Sequence, residues 1–245
     1  MKDLKFLSES IALSASTSAA SMVPSLNANQ LLAFDGEQNR ALLQYLQNSH
    51  SDGRMSGRRI AIVATDGVEE IELTTPYKKL KEMGAQVDLV STRSQGFPEF
   101  GIQMPPTRET HILTIRFMEN AGWFPIDRFI DEVSCEEYDA VIVPGGAWNP
   151  DLLRGNQKVL EFIQQMEAAK KLVAAICHGP QVLISAEVVS GKKATIWWMS
   201  MIDLKNAGAE VIDQPVVVDE RLITSRGPLD LPDFIEAIVD YFQAN

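Results

Sequence analysis

Cysteine is scarce in this chain. Only Cys135 and Cys177 occur among 245 residues, far apart and in no C-x-x-C spacing. That pattern points to no disulfide framework and no structural metal site, and it fits a reducing, cytoplasmic setting. Basic residues are also in deficit, 22 Lys and Arg against 33 Asp and Glu, for a formal net charge of −11. A nucleic acid or an anionic membrane surface recruits clustered Lys and Arg, so neither is an expected partner. No apolar run reaches the roughly 18 residues needed to span a bilayer. Residues 11–23, preceded by Lys2 and Lys5, faintly resemble an export signal, but the stretch is rich in Ser and Thr, and Asp3 and Glu9 interrupt the positive flank.

What is present divides into two parts. In residues 1–57, Leu31, Leu32, Phe34, Leu42, Leu43, Tyr45 and Leu46 have the spacing of one or two short helices, with Asp35 a candidate N-cap. Residues 48–57 are polar and read as a linker, so residues 1–57 read as an extension to a domain over 58–245.

From Arg58 onward short apolar runs alternate with helical periodicity. Strands are expected at 59–64, 86–91, 140–144 and 172–176, with helices over 69–83, 156–170 and 180–189. Further strands are expected near 193–196, 216–218 and 222–224, then a helix over 231–242. Gly84 marks the end of the first helix. The pattern predicts an α/β fold, a doubly wound and mostly parallel sheet with helices on both faces. Residues 92–136 break the rhythm with Pro98, Pro105, Pro106 and Pro125, and a hairpin or lid is expected there.

Cys177 ends the run Lys171-Leu-Val-Ala-Ala-Ile176 and precedes His178-Gly179-Pro180. A buried strand stops, a thiol stands at its tip, and Gly-Pro turns the chain into a helix. This is the sequence form of a nucleophile elbow. The helix N-terminus then faces the sulfur and favours its thiolate. The ordinary alternative is packing, since a lone Cys at the end of an apolar strand is commonly core.

Cys177 lies in one of five segments that occur together: Asp66-Gly-Val-Glu-Glu-Ile-Glu-Leu-Thr-Thr-Pro76, Tyr138-Asp-Ala-Val-Ile-Val-Pro-Gly-Gly146, Ala175-Ile-Cys-His-Gly-Pro-Gln181, Lys205-Asn-Ala-Gly-Ala209 and Ile223-Thr-Ser-Arg-Gly-Pro228. As a set and in this order they resemble the PfpI/ThiJ superfamily of intracellular cysteine peptidases and deglycases. Cys-His and Ser-Arg-Gly-Pro are closer to the PfpI peptidase-like branch. The resemblance implies a flavodoxin-like, class I glutamine amidotransferase-like fold, no cofactor, and a homo-oligomer, either a dimer or a hexamer.

The resemblance also implies roles. Glu72 is expected to hydrogen-bond the Cys177 sulfur, which requires a protonated carboxyl and hence a raised pKa. Glu69 is expected to share the pocket and Glu70 to face solvent. The ordinary alternative for all three is an acidic first turn complementing the helix dipole. His178 is the candidate base, oriented by Asp151 of a neighbouring subunit, although Asp151 also suits a helix N-cap. Gly145 and Gly146, with the His178 amide, are candidate oxyanion donors, although Gly-Gly also serves a plain turn. Trp197, followed by Trp198, stands in the pocket wall where relatives commonly carry Tyr and Pro, predicting a bulkier and less polar site.

The leading functional reading is a cysteine-dependent hydrolase acting on small amides, peptides or glycated adducts. A glyoxalase-like conversion of 2-oxoaldehydes uses the same parts. The rival from another class is a redox-sensing stress protein with chaperone activity, built on an oxidisable cysteine.

Overall fold

The computed structural model describes residues 37–93, 109–117 and 119–244. Expectations resting on Leu31, Leu32, Phe34, Asp35, Pro98, Pro105 and Pro106 lie outside them. In chain order the elements are α1 (Glu37–Gln47), β1 (Arg59–Val63), β2 (Val68–Glu69), α2 (Glu70–Glu82), β3 (Gln86–Ser91), β4 (His111–Arg116), β5 (Glu119–Pro125) and β6 (Arg128–Phe129). They continue with β7 (Ala140–Val143), α3 (Asn149–Arg154), α4 (Gln157–Ala168), β8 (Leu172–Ile176), α5 (Pro180–Ser185), β9 (Lys193–Ala194), α6 (Met201–Asn206), β10 (Glu210–Val211), β11 (Val216–Asp219), β12 (Leu222–Ser225) and α7 (Leu231–Ala244).

The main sheet runs β11-β12-β8-β7-β1-β3-β6, and every pairing is parallel except that of β11 with β12. Alternation along the strands sorts side chains to opposite faces. Ile60, Ile62, Leu89, Ile142 and Ala174 pack with Leu73 and Leu80 of α2 and with Phe234 and Ile238 of α7. Ala61, Val63, Val141, Val143 and Ala175 pack with Phe162 and Ile163 of α4 and Val182 of α5 on the other side. Helices therefore cover both faces, the doubly wound architecture expected from the alternating pattern. Leu42 of α1 and Met55 are buried in the first of these clusters, so residues 42–55 contribute to the same core.

In this topology the chain passes from β1 to a helix on one face and from β7 to helices on the other. The crevice between the carboxyl ends of those two neighbouring strands is where ligands bind in open α/β sheets. Glu72 follows β1, Gly145 follows β7 and Cys177 follows β8, so all three converge at that edge.

Three local expectations need correction. The helix after Cys177 stops at Ser185 rather than 189; Glu187 adopts φ +59 and the Val188 amide bonds back to Leu183 at 3.2 Å, closing a turn. The segment near 193–196 is no main-sheet strand: Lys193–Ala194 pairs in parallel with β10 in a sheet of two. Thr195 instead donates its amide to Thr224 Oγ1 at 2.9 Å, which leads the chain towards Cys177. Glu70 does not face solvent, being 1 % exposed and paired with Arg116.

Within the segment between β3 and β7, β4 and β5 form an antiparallel hairpin. β2 joins it in parallel, with Val68 beside Thr114 and Glu69 beside Ile115. The hairpin is thereby fastened to the residues that open α2.

Candidate active site

Cys177 stands at the tip of β8 with φ +59, a conformation uncommon for a residue bearing a Cβ. The strain is held by bonds on both sides. Its amide donates to the Ser225 carbonyl at 3.0 Å, and its carbonyl accepts the Trp197 amide at 2.9 Å. Gly179 completes the elbow, because a methyl group there would lie 2.1 Å from the Val143 carbonyl oxygen. This close approach lets the turn fold back over β7.

Three groups meet the thiol. His178 Nδ1 lies 3.2 Å from Cys177 Sγ. Glu72, from the first turn of α2, is fully buried. Its Oε2 accepts the Gly145 amide at 2.8 Å, Oε1 is buried with no hydrogen-bond partner, and the carboxyl as a whole interacts with the Cys177 thiol. Gly145 is the point of contact for all of them. A Cβ at this residue would lie 2.7 Å from His178 N, 2.8 Å from Cys177 Cβ and 2.9 Å from Glu72 Oε2. No side chain fits there.

Burial governs the electrostatics. It pushes the Glu72 carboxyl up to about 8, helped by the neighbouring charge of Glu69 and opposed by the Gly145 amide. Below that pH Glu72 is a carboxylic acid, and with Oε2 occupied by an amide the proton belongs on Oε1. Glu69 is likewise raised to about 7 by burial, against the pull of the Phe117 amide that bonds its Oε2 at 3.0 Å. Burial also lowers His178.

The thiol behaves differently from the sequence expectation. Cys177 is 6 % exposed, and burial followed by the charge of Glu72 holds it well above the ordinary thiol range. α5 is six residues long, too short for a strong dipole, and among the surrounding groups it is the His178 amide that draws the sulfur down. The resting site therefore pairs a thiol with a protonated carboxyl, with His178 Nδ1 within hydrogen-bond reach of the sulfur.

The remaining sequence candidates fall as follows. The Gly145 amide is spent on Glu72, which removes it from an oxyanion hole in this arrangement and is a correction. Gly146, at φ +102, packs so closely that a Cβ would sit 2.2 Å from the Gly67 carbonyl oxygen. Asp151 lies in the first turn of α3, is exposed and makes no hydrogen bond to His178 within the chain; the N-cap position belongs to Trp148. Trp197 is half-buried against His178, its ring centroid 5.6 Å from the imidazole with a 27° interplanar angle. Trp198, Met199 and Ile202 are exposed beside it, as are Trp148 at the N-cap of α3 and Leu152 on α3.

Sequence reading missed Asn149. This fully buried side chain accepts the Thr65 amide at 2.7 Å and donates to the Pro144 and Gly145 carbonyls at 2.8 and 3.1 Å, locking the loop after β1 to the Gly-Gly turn. A polar residue in Trp148-Asn-Pro-Asp151 gives no hint of burial. It also missed the hairpin residues Arg116, whose Nη2 donates to Glu70 Oε1 at 3.1 Å, and Phe117. Among the described residues no cluster of His, Cys, Asp and Glu has the makings of a metal site, and no helix is long and apolar enough to cross a membrane.

A family model described as the DJ-1/PfpI family matches residues 58–241. The chain is 39 % identical over 178 residues to protein/nucleic acid deglycase 2 of Escherichia coli, an alignment covering 72 % of this chain and 93 % of that one. It is 37 % identical over 173 residues to deglycase PfpI of Pyrococcus furiosus, covering 71 % and 92 %. The fold matches that of Drosophila melanogaster DJ-1beta with a TM-score of 0.64 at 24 % identity, covering 76 % of this chain and 94 % of that one.

Proposed function

The chain belongs to the DJ-1/PfpI family, on its PfpI-like side, and from that premise we propose that it hydrolyses a carbon–nitrogen bond in a small amide, a peptide or a glycated adduct, with Cys177 as nucleophile. The observation that carries this reading is the 3.2 Å approach of His178 Nδ1 to a Cys177 Sγ fixed at the strand tip. Relatives named deglycases supply the substrate class.

The chemistry follows from the arrangement. His178 takes the proton from Sγ as sulfur adds to the carbonyl carbon; the S–C bond forms and the C=O π pair moves onto oxygen. The Gly146 and His178 amides are the candidate donors for that oxyanion. Collapse breaks the C–N bond, with His178 returning its proton to the departing amine, and a thioester remains on Cys177. Water then adds to the thioester carbonyl, His178 accepts its proton, and the acid leaves as the thiol is restored. Glu72 stays protonated throughout and stabilises the sulfur whenever it carries negative charge. Addition of the same thiol to a 2-oxoaldehyde would give a hemithioacetal, the first step of a glyoxalase-like conversion.

Asp151 extends this proposal beyond one chain. Exposed on α3, which packs against α5, it is free to reach His178 of another copy, which makes the active form a homo-oligomer in a reducing, cytoplasmic setting. The alternative, a redox-sensing stress protein, needs an accessible low-pKa thiol. Burial of Cys177 speaks against it. The test is turnover of methylglyoxal-glycated peptide, peptide amide and free methylglyoxal by the wild type and by Cys177→Ser. Loss of every activity in the variant is expected; retention at the wild-type rate overturns the hydrolase reading.

A further inference from the structure

His178 needs its imidazole held at the sulfur, and Cys177 is its one side-chain hydrogen-bond partner among the described residues. Among the described residues no carboxylate bonds the other ring nitrogen. What lies against the imidazole is the face of Trp197, near parallel at 27°.

That indole is itself immobilised. Its backbone amide is bonded to the Cys177 carbonyl at 2.9 Å, so ring and elbow belong to one rigid unit. Gly227 lies against the indole: a methyl group at this residue would approach Cε3 and Cζ3 to 3.3 Å. Trp198 packs edge-on at 5.2 Å and 73°, and the Arg226 guanidinium covers the Trp198 ring at 4.9 Å. Arg226 is anchored in turn by Asp230 at 3.0 Å and Asp213 at 2.9 Å. The stack thus runs from the part-buried Arg226–Asp230 ion pair to the candidate base.

We propose that Trp197 is a positioning residue, whose indole face sets the tilt of the His178 imidazole towards Cys177 Sγ and supports the imidazolium formed when the thiol gives up its proton. The inference rests on reading His178 as the base. It assigns Trp197 more than a wall of the substrate pocket. Physically, a flat face restricts rotation about the imidazole bond to Cβ, as a hydrogen-bonded carboxylate otherwise does. A delocalised cation over an indole is also favoured by the ring quadrupole. The charged and titratable groups around the pair are Cys177 and Glu72, with Glu69 behind them, exposed Asp151 on α3, and Arg226 with its two aspartates beyond Trp198. None of these touches the imidazole except Cys177.

The test compares Trp197→Phe, which keeps a flat face, with Trp197→Leu, which keeps apolar bulk without one. Both full-length variants are first checked for wild-type thermal unfolding. Two readouts are taken: steady-state turnover of the glycated peptide, and the pH dependence of Cys177 alkylation by iodoacetamide, which needs no turnover. The expected result is that the Phe variant stays within about threefold of wild type. The Leu variant loses roughly 10- to 100-fold in kcat with KM nearly constant, and its alkylation limb moves to higher pH by about half a unit or more. Equal behaviour of the two variants, or a change confined to KM with the alkylation limb unmoved, overturns the proposal. If Cys177→Ser retains turnover, it is the hydrolase reading that fails, and the alkylation limb still decides the role of Trp197.

Discussion

The amide of Gly145 donates to Glu72 Oε2 at 2.8 Å, joining the turn after β7 to the first turn of α2 at the point where both touch Cys177. The bond fixes which carboxyl oxygen carries the proton. Because Oε2 is occupied as an acceptor, the proton falls to Oε1, and burial keeps the carboxyl protonated up to about 8.

Activity should therefore fall as pH rises through about 8, when Glu72 ionises and sets a second negative charge beside the sulfur. A glutamine remains neutral and still donates. Glu72→Gln should retain measurable turnover and lose the alkaline decline, as followed in kcat/KM from pH 6 to 10. An unchanged alkaline limb in this variant means that some other group controls it.

The same burial costs stability in a defined direction. Glu69 and Glu72 have folded pKa values of about 7 and about 8 against an ordinary 4.5. The folded state keeps protons that the unfolded chain has lost between those limits, so the stability these two groups contribute is fully present at and below about pH 4.5 and falls as pH rises to 8. The loss is on the order of a few kcal/mol. Urea unfolding at pH 5 and pH 8 should show it, and the double variant Glu69→Gln/Glu72→Gln should flatten the dependence.

Gly145→Ala places a methyl group where backbone, sulfur-bearing carbon and carboxyl already meet at under 3 Å. Some part of the site must move. Turnover should drop by roughly 100-fold, since displacements of about 1 Å cost that much in well-aligned sites, while the melting temperature changes less than for a core truncation. Wild-type activity in this variant would mean that the three groups do not act together.

Arg116→Ala should destabilise the fold by about 3–5 kcal/mol, because it leaves the buried Glu70 carboxylate without its counterion. Combining it with Glu70→Gln should restore a large part of that loss. A denaturant-based double-mutant cycle reads the coupling, and additivity would show that the pair does not pin the hairpin to α2.

Legibility in the sequence followed local chemistry. The strand Leu172–Ile176 and the Gly-Pro turn are encoded next to Cys177, and the βαβ unit from β1 to β3 announces itself through Gly84 and the apolar runs on either side. Glu72 was recognisable through its resemblance-bearing motif and not through spacing, since an acidic first turn explains three glutamates equally well. What was hidden depends on the third dimension. Burial of Glu70 requires Arg116, 46 residues away, and the service of Gly145 to Glu72 rather than to substrate requires two loops to be brought together. The helix that follows Cys177 predicts an easily ionised thiol, whereas its pKa is set by how much protein surrounds it. Segment 193–196 has strand-like residues, yet tertiary bonds from Thr195 to Thr224 and from Trp197 to Cys177 divert it to the site.

The central claim, that Cys177 attacks substrate while His178 and Glu72 manage its proton and charge, is tested most directly by trapping the covalent intermediate. Wild type and Cys177→Ser are mixed with glycated peptide or peptide amide, quenched in acid during turnover and mapped by peptide mass spectrometry. The expected result is a substrate-derived mass on the Cys177 peptide of the wild type, absent from the variant, together with at least a thousandfold loss of turnover. Turnover of the Cys177→Ser protein at the wild-type rate, with no mass added to the Cys177 peptide of the wild type, would contradict it.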